Sequence, residues 1–362
     1  MIKSNTIEAP RADKIDKVLE KHADIRVDPY SWMNDRENPE VIDYLERENA
    51  YFEAVMEKTN ELQEGLFKEM KARIKEDDTS VPYFYNGYYY ITRYETGKDY
   101  PIYTRRKESM KSDEEVLFDV NEMAKDYAYY HLRGISISPD NKWAAYAVDT
   151  LSRRNYIIHV KNLETGEVIE DAIPQTTGTS TWGNDNKTLF YARKDAQSLR
   201  PNQIYRHSIG ERVEDDELLY TEEDETYVTY VYKTRSRNYI VIGSSSTLSD
   251  EFRILDANTP LGEFRLFQER IPGLEFQIEH YDDYFYVLTN KDKARNFKIM
   301  KTQLNQTSKD NWIDVIPHRK DVLVEGLDLF EDYMVISERN NGLNKIRVID
   351  WEGEQDYYLP FK

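Results

Sequence analysis

Residues 81–94, VPYFYNGYYYITRY, have the pattern of a β-hairpin. Aromatic and β-branched residues dominate both arms, as they do in strands. The Asn86-Gly87 pair between the arms is the pair that a two-residue hairpin turn favours, because both residues tolerate positive φ. Two more short runs follow at 102–106 and 116–119, and Thr96-Gly97 marks a second turn. The stretch therefore predicts a small antiparallel sheet of four strands.

The same arrangement recurs along the rest of the chain. A second group of four runs covers 134–138, 143–149, 156–161 and 168–171, and further groups open near 179, 226, 276 and 322. The openings are roughly 45 to 53 residues apart, which is the length of a propeller blade. A β-sandwich would have fewer strands than the roughly 24 counted here. The sequence predicts a mainly β fold, a β-propeller of about six four-stranded blades over residues 77–362.

The region before the propeller has a helical period instead. Asn38 can cap a first helix, and Pro39 fits its first position. Apolar residues recur at helical spacing. In the first helix they are Val41, Tyr44, Leu45, Phe52, Val55 and Met56, and in the second they are Leu62, Leu66, Phe67, Met70 and Ile74. A polar break at 76–80 ends this period. Residues 1–76 are therefore predicted to form an N-terminal helical segment.

Composition excludes several classes of function. The formal net charge of −19 disfavours nucleic acid as a partner, because phosphate binding needs a basic surface. The same charge would attract cationic peptides, although it is equally explained by solubility. The absence of cysteine excludes disulfides and thiolate metal sites. No stretch approaches the roughly eighteen apolar residues of a membrane span, and the N-terminus lacks a signal-peptide core. We expect no membrane partner and a cytoplasmic location, although an exported protein without its signal would share these features.

Catalytic and metal-binding motifs are also missing. No G-x-S-x-G nucleophile elbow occurs, and the six histidines are scattered without metal-ligand spacing. The acidic clusters 215–217 and 222–225 lack the alternation of a calcium loop, and we interpret them as solvated turns. Asp149 and Asp185 are interpreted as turn residues. We therefore expect no catalytic residue, no metal and no cofactor.

Two N-terminal stretches carry a family resemblance. Residues 28–35 read DPYSWMND and residues 38–49 read NPEVIDYLEREN. They resemble the N-terminal signature of the prolyl oligopeptidase family of serine peptidases, most closely its oligopeptidase B branch. Phrases in the same order as in that branch include LFDVN at 117–121, SPDN at 138–141, LSRR at 151–154, NLETG at 162–166 and PNQIYRH at 201–207. The resemblance extends from about residue 8 to residue 360.

The resemblance implies a seven-bladed propeller followed by a C-terminal α/β-hydrolase domain that carries the catalytic triad. This chain would hold the N-terminal strap and six blades, without the seventh blade and the hydrolase domain, and should be inactive alone. An apolar face of blade six around Val335, Ile336, Ile346 and Val348 should then be partly uncovered.

Candidate functional residues lie where the family propeller meets the hydrolase domain. The connection between blades and the loop between the middle two strands of a blade emerge on one face, which in blade two means residues 121–133 and 150–155. The candidates there for substrate binding or inter-domain contact are Glu122, Asp126, Tyr127, Tyr129, His131, Arg153 and Arg154. The resemblance implies that Arg153 or Arg154 forms an inter-domain ion pair or meets the carboxyl end of the substrate. Exposed loop cations are the alternative interpretation. Ala128 stands where relatives often have glutamate, so a carboxylate role there does not carry over.

The N-terminal segment offers a second set of candidates, Tyr30, Trp32 and Met33, which are expected to dock on the hydrolase domain. The leading hypothesis is thus a non-catalytic gating propeller of a peptidase that cuts short peptides after Lys or Arg. Its partners would be its own hydrolase domain and short basic peptides. A stand-alone propeller that binds proteins or peptides is the alternative, and it would gain support if Trp32 were buried against the blades. A glycoside-acting propeller would need paired carboxylates in the channel, for which the sequence gives no evidence.

Overall fold

The computed structural model of the chain describes residues 8–361. They form two compact units. The first contains residues up to 78 together with 95–97, and the second contains residues 79–94 and 98–361.

The first unit combines a hairpin with two helices. Strands β1 (Lys17–Lys21) and β2 (Asp24–Asp28) form an antiparallel pair, and a 3-10 turn at Ser31–Asn34 follows. Helix α1 (Pro39–Met56) and helix α2 (Asn60–Ala72) are joined by a second 3-10 turn at Glu57–Thr59. The backbone N–H of Glu40 donates to Asn38 Oδ1 at 2.9 Å, which confirms the predicted cap.

The hairpin corrects the interpretation of the N-terminal segment as only helical. Its turn is made by His22 and Ala23, both with positive φ. Neither residue belongs to the Gly, Asn and Asp set that marks such turns in a sequence. The pattern of strand residues was therefore present without the turn signal that would have identified it.

The second unit contains four sheets of four antiparallel strands and one sheet of seven, in which two blades share a strand, and together they make six blades of a β-propeller. Blade one contains β3 (Tyr83–Tyr85), β4 (Tyr88–Arg93), β5 (Ile102–Lys107) and β6 (Glu115–Asp119), followed by the short helix α3 (Val120–Met123). Blade two contains β7 (His131–Ile137), β8 (Trp143–Asp149), β9 (Tyr156–Asn162) and the first part of β10 (Ile173–Trp182). Blade three contains the second part of β10, β11 (Thr188–Lys194), β12 (Pro201–Ser208) and β13 (Glu217–Thr221).

The last three blades repeat the same meander. Blade four contains β14 (Val228–Lys233), β15 (Tyr239–Ser245), β16 (Asp250–Asp256) and β17 (Arg265–Gln268). Blade five contains β18 (Phe276–Tyr281), β19 (Tyr284–Thr289), β20 (Lys298–Gln303) and β21 (Ile313–Ile316). Blade six contains β22 (Val322–Leu329), β23 (Tyr333–Asn340), β24 (Leu343–Asp350) and β25 (Asp356–Tyr358). The predicted openings near 81, 134, 179, 226, 276 and 322 fall within or beside the first strand of each blade.

One predicted strand is wrong. Residues 168–171 do not form the outer strand of blade two; Val168 makes only an isolated bridge to Lys161. The outer strand is the beginning of β10, where Ile173 pairs with Ile158. After a register shift the same strand continues as the inner strand of blade three, where Ser180 pairs with Tyr191. A long polar strand shared by two blades has no sequence signal of its own.

The core consists of apolar layers between consecutive blades. Phe118 and Tyr146 pack between blades one and two, and Phe252 and Phe276 pack between blades four and five. In blade six, Ile336 and Val348 are buried, whereas Val335 and Ile346 are only partly covered. The expectation of a partly uncovered face is thus correct for two of its four residues and wrong for the other two. Ile336 is buried because it belongs to the apolar layer shared with blade five.

Candidate functional site

An axial cavity of about 1110 Å³ lies where the six blades converge. It is lined by the ends of the first strands and by the hairpins that follow them, from Phe84 and Tyr85 in blade one to Phe330 and Glu331 in blade six. Because the first strands run in the same direction through the propeller, these hairpins all emerge on one face. Each of the six described blades contributes residues to the lining of this cavity.

Charges of both signs line this cavity. Blade four contributes the cations, which are Lys233, Arg235 and Arg237. Blades five and six contribute the acids, which are Glu279, Asp282, Asp328 and Glu331. A ligand with separated positive and negative groups, such as a peptide, would meet complementary charges here.

Two of these groups have displaced pKa values. Burial raises the pKa of Glu279 to about 7, although backbone N–H groups of His280 and Arg235 donate to its carboxylate and oppose the rise. Burial, reinforced by the charge of Arg237, lowers the pKa of Lys233 to about 8. The sequence analysis missed Glu279 because nothing in the local pattern distinguishes it from any other polar residue of a strand.

The candidates predicted in blade two lie at the ends of the strands that are opposite the axial cavity. His131 begins β7 and pairs with Asp149, the last residue of β8, so the 121–133 connection and the 150–155 loop meet at one edge as predicted. His131 Nδ1 is hydrogen-bonded to the hydroxyl of buried Tyr156 at 2.8 Å. Asp149 shapes the loop by accepting from the backbone N–H groups of Leu151 and Arg154, which confirms its interpretation as a turn residue.

The remaining candidates at this edge are exposed. Glu122 in α3 is ion-paired with Lys125, and the ring of Tyr127 contacts Tyr130. Asp126, Tyr129, Arg153 and Arg154 are open to solvent. The ammonium group of Lys194 donates to the backbone carbonyl of Arg154. Burial, and then the charges of Arg133 and Arg154, lowers the pKa of Lys194.

The candidates of the N-terminal unit are held by local contacts. The indole N–H of Trp32 donates to the backbone carbonyl of Asp13 at 2.9 Å, and the ring is only partly buried. The backbone N–H of Met33 donates to the carbonyl of Tyr30, whose side chain is exposed. The structure therefore positions these three residues without burying them within their own unit.

The interpretation of the acidic clusters 215–217 and 222–225 as solvated turns needs correction, because one carboxylate of each cluster is buried. Asp216 accepts from the hydroxyl of Tyr191 at 2.7 Å and contacts His207 Nδ1 at 2.6 Å, while Asp171 Oδ2 lies 3.1 Å from His207 Nε2. Burial would lower the pKa of His207, but these hydrogen bonds outweigh it and raise the pKa. This Asp–His–Asp arrangement is almost fully buried, and it joins the segment before β10 to β12 and to the residue before β13.

In the second acidic cluster the buried carboxylate is that of Glu222. Its carboxylate contacts the guanidinium of Arg270 at 2.6 Å and the hydroxyl of Tyr220 at 2.8 Å. Burial would raise its pKa, but the hydrogen bonds from Arg270, Ser244 and Tyr220 hold the pKa at about 2. The sequence could not reveal these exceptions, because the partners are distant in the chain.

Asp185 accepts from the backbone N–H groups of Lys187 and Thr188, as expected of a turn residue. Within residues 8–361, no group of three or more potential ligands is arranged to hold a metal ion. No helix in the described part of the chain is long and apolar enough to span a bilayer.

Comparison with known proteins identifies the class of this propeller. Residues 10–361 match the family model of the prolyl oligopeptidase N-terminal beta-propeller domain. Dipeptidyl aminopeptidase BI of Pseudoxanthomonas mexicana is 39% identical over 363 residues, which cover 96% of this chain and 50% of that protein. Protease 2 of Moraxella lacunata is 32% identical over 347 residues, covering 94% of this chain and 50% of that protein.

A solved structure agrees with these matches. Oligopeptidase B from Leishmania major superposes with a TM-score of 0.90 at 29% identity, over 98% of this chain and 54% of that one. The class is therefore that of a peptidase propeller. The chain belongs to the prolyl oligopeptidase family, and it comprises the N-terminal propeller portion. It spans about half the length of the curated relatives it matches.

Proposed function

We propose that this chain is the non-catalytic, substrate-filtering part of a serine peptidase that cleaves short peptides after lysine or arginine. The catalytic residues would belong to an α/β-hydrolase domain that packs against the N-terminal unit and the propeller. The relatives that support this proposal are about twice as long as the chain, and one of the matched structures is an oligopeptidase B.

The observation that carries the proposal is the apolar surface of the N-terminal unit. Helices α1 and α2 leave most of their large apolar side chains open to solvent, including Leu45, Phe52, Leu62, Leu66, Phe67 and Met70. Phe67 is 63% exposed, although a phenylalanine is normally buried. Large apolar side chains left exposed in such number on two consecutive helices point to a protein interface. A hydrolase domain is the partner that the family relationship offers.

The filtering role rests on the form of the propeller. A peptide would have to reach the enclosed reaction site through the axial cavity or through a gap between domains, and a folded protein would fit neither. The net charge of −19 would draw cationic peptides toward the molecule. Cleavage after a basic residue agrees with that attraction.

A second candidate activity is favoured by one observation. The relative that is 39% identical is a dipeptidyl aminopeptidase by name. The whole protein would then remove dipeptides from the amino end of a peptide. The acids around the cavity, among them Asp282 and Glu331, would attract the free amino group of such a substrate.

The test begins with the reading frame that encodes this chain. We expect codons for a hydrolase domain with a G-x-S-x-G motif after Lys362, and a stop codon there would contradict the proposal and favour a stand-alone binding propeller. The protein made from the complete frame should then be assayed on two peptides of equal length. One has a single internal arginine, and the other has a reporter group after its second residue. Cleavage after arginine supports the first activity, and release of the dipeptide supports the second.

A further inference from the structure

The hairpin between β14 and β15 of blade four, residues 234–238, spans the mouth of the axial cavity. Thr234 and Tyr239 close it, since the N–H of Thr234 donates to the carbonyl of Tyr239 at 2.9 Å. Two arginines of this hairpin, Arg235 and Arg237, are directed to blades that are not neighbours of blade four. We refer to residues 234–238 as the blade-four hairpin.

Arg235 contacts blade six. Its guanidinium donates to Asp328 Oδ1 at 2.6 Å and lies over the ring of Phe330, 4.4 Å from the ring centroid. Asp328 is near the end of β22, and Phe330 opens the hairpin after it. Blade five lies between these two blades in the chain, so this contact bypasses the nearest neighbour.

Arg237 makes the same kind of contact with blade one. Its guanidinium donates to Asn86 Oδ1 at 3.0 Å and lies 4.3 Å from the centroid of the Tyr85 ring. Asn86 is itself fixed to blade two, because its amide donates to the carbonyl of Pro139 at 2.7 Å. Blades two and three separate blade one from blade four in the chain, so Arg237 reaches across the mouth.

The base of the hairpin is held in place by its immediate neighbours. From blade three, the side-chain amide of Asn184 donates to the carbonyl of Arg237 at 3.0 Å. From blade five, Glu279 Oε1 accepts from the N–H of Arg235 at 3.0 Å, and His280 Nδ1 lies 2.8 Å from Ser236 Oγ. The backbone of the hairpin is therefore fixed, and its two arginines can act as arms that engage or release the distant blades.

We propose that the blade-four hairpin is a latch that closes the mouth of the axial cavity and couples blade one to blade six. Each blade of a propeller packs mainly on the blades beside it, and blades that are not adjacent need a separate coupling. Arg235 and Arg237 supply this coupling between blades one and six through blade four. The side chains of Arg235 and Asp328 are each about half exposed, at 47% and 50%, so the contact can form and break without unfolding a blade. This proposal requires the propeller alone and not the proposed peptidase activity.

The absence of cysteine makes the latch directly measurable. Lys111→Cys in blade one and Asp332→Cys in blade six introduce two spin labels at exposed positions on loops of the same face. The distance distribution between the labels should be narrow in the otherwise unchanged chain. The double substitution R235Q/R237Q should broaden it and add a population at longer distance. An unchanged distribution would overturn the proposal.

A matched control separates the latch from a general effect of losing arginine. Arg339 is 49% exposed and pairs with Glu325 at 2.8 Å, but both residues lie in blade six. R339Q should leave the label distance unchanged, and an equal broadening in that variant would count against the latch.

A second measurement avoids the risk that the double variant fails to fold. In the labelled chain with its arginines intact, 1 M salt reduces the Debye length to about 3 Å and weakens exposed ion pairs. The longer distance should appear as salt is added and disappear on dialysis. The distance distribution between the labels should therefore depend on salt. If neither this distribution nor the circular dichroism changed with salt, a latch based on the Arg235–Asp328 pair would be contradicted.

Discussion

Glu222 and Arg270 form an ion pair whose carboxylate is buried inside the propeller. The carboxylate is 3% exposed and receives hydrogen bonds from side chains on three separate stretches of the chain. Arg270 also lies over the ring of Tyr227, 4.0 Å from its centroid. Removing one partner of such a buried pair leaves the other charge uncompensated.

We predict that E222Q lowers the free energy of unfolding at pH 7 by about 3 kcal/mol. The pKa of Glu222 is about 2 in the folded state, below its ordinary value of 4.5. Its contribution is therefore fully present above pH 4.5 and is lost as the pH falls toward 2. Urea titrations at several pH values should show this loss in the unchanged protein and a flatter profile in the variant. E223Q, which changes the exposed neighbour, should behave as the unchanged protein does.

The contribution of Glu279 to the stability of the fold should depend on pH in the opposite direction. Its folded-state pKa of about 7 lies above the ordinary 4.5, so the folded protein binds the extra proton between these values. Stability from this group is therefore present at low pH and declines as the pH rises from about 4.5 to 7. E279Q should be more stable than the unchanged protein at pH 8, by about 2 kcal/mol, and should show less difference between pH 5 and pH 8. Thermal unfolding of E279Q and of the exposed control E331Q checks this; equal pH profiles for both would refute it.

At the scale of elements, glycines mark where two backbones approach each other. Gly134 in β7 has a φ of +66°, and a side-chain carbon built on it would lie 1.8 Å from the carbonyl oxygen of Gly178 in β10. β7 is the inner strand of blade two, and Gly178 lies at the register shift where β10 passes from blade two to blade three. By contrast, Gly65 lies within α2, and a side-chain carbon there would contact nothing within 4 Å.

The same chemical change should therefore have opposite effects at these two positions. G65A should stabilise helix α2 by about 0.5–1 kcal/mol, because alanine has the higher helix propensity. G134A should destabilise blades two and three strongly, because the backbone must shift to admit the methyl group. Thermal unfolding monitored by circular dichroism measures both. A melting temperature for G134A equal to that of the unchanged protein would show that β7 and β10 are not so closely packed.

Most of the propeller was predictable because hairpin chemistry is local. Asn86-Gly87 has the positive φ values that its sequence implies, and β8 begins at Trp143 and ends at Asp149 as predicted. The shared strand β10 was not predictable, because its polar residues are placed by two neighbouring blades. The same limit applies to the site: the edge bearing His131 and Arg154 follows from blade geometry, whereas the latch contacts join residues about 90 to 150 positions apart in sequence. Such pairs leave no trace in a local pattern.

At the scale of the whole molecule, the exposed apolar surface of the N-terminal unit has a measurable consequence. We predict that the chain self-associates in solution, because Phe67 and Met70 expose apolar area that water disfavours. F67E/M70E should reduce this association with little change in the melting temperature. K68E, on the same helix, should reduce it much less. Sedimentation velocity over a range of concentrations measures the effect, and a chain that is monomeric at every concentration would contradict this prediction.

The proposed function requires this chain to be a propeller without catalytic machinery of its own. The most direct test exposes the purified 362-residue chain to a fluorophosphonate, which attaches covalently to activated serines, and measures its intact mass. We predict that the mass stays unchanged. A stoichiometric adduct at one serine, accompanied by hydrolysis of an arginine-containing peptide, would show that the chain is a complete peptidase.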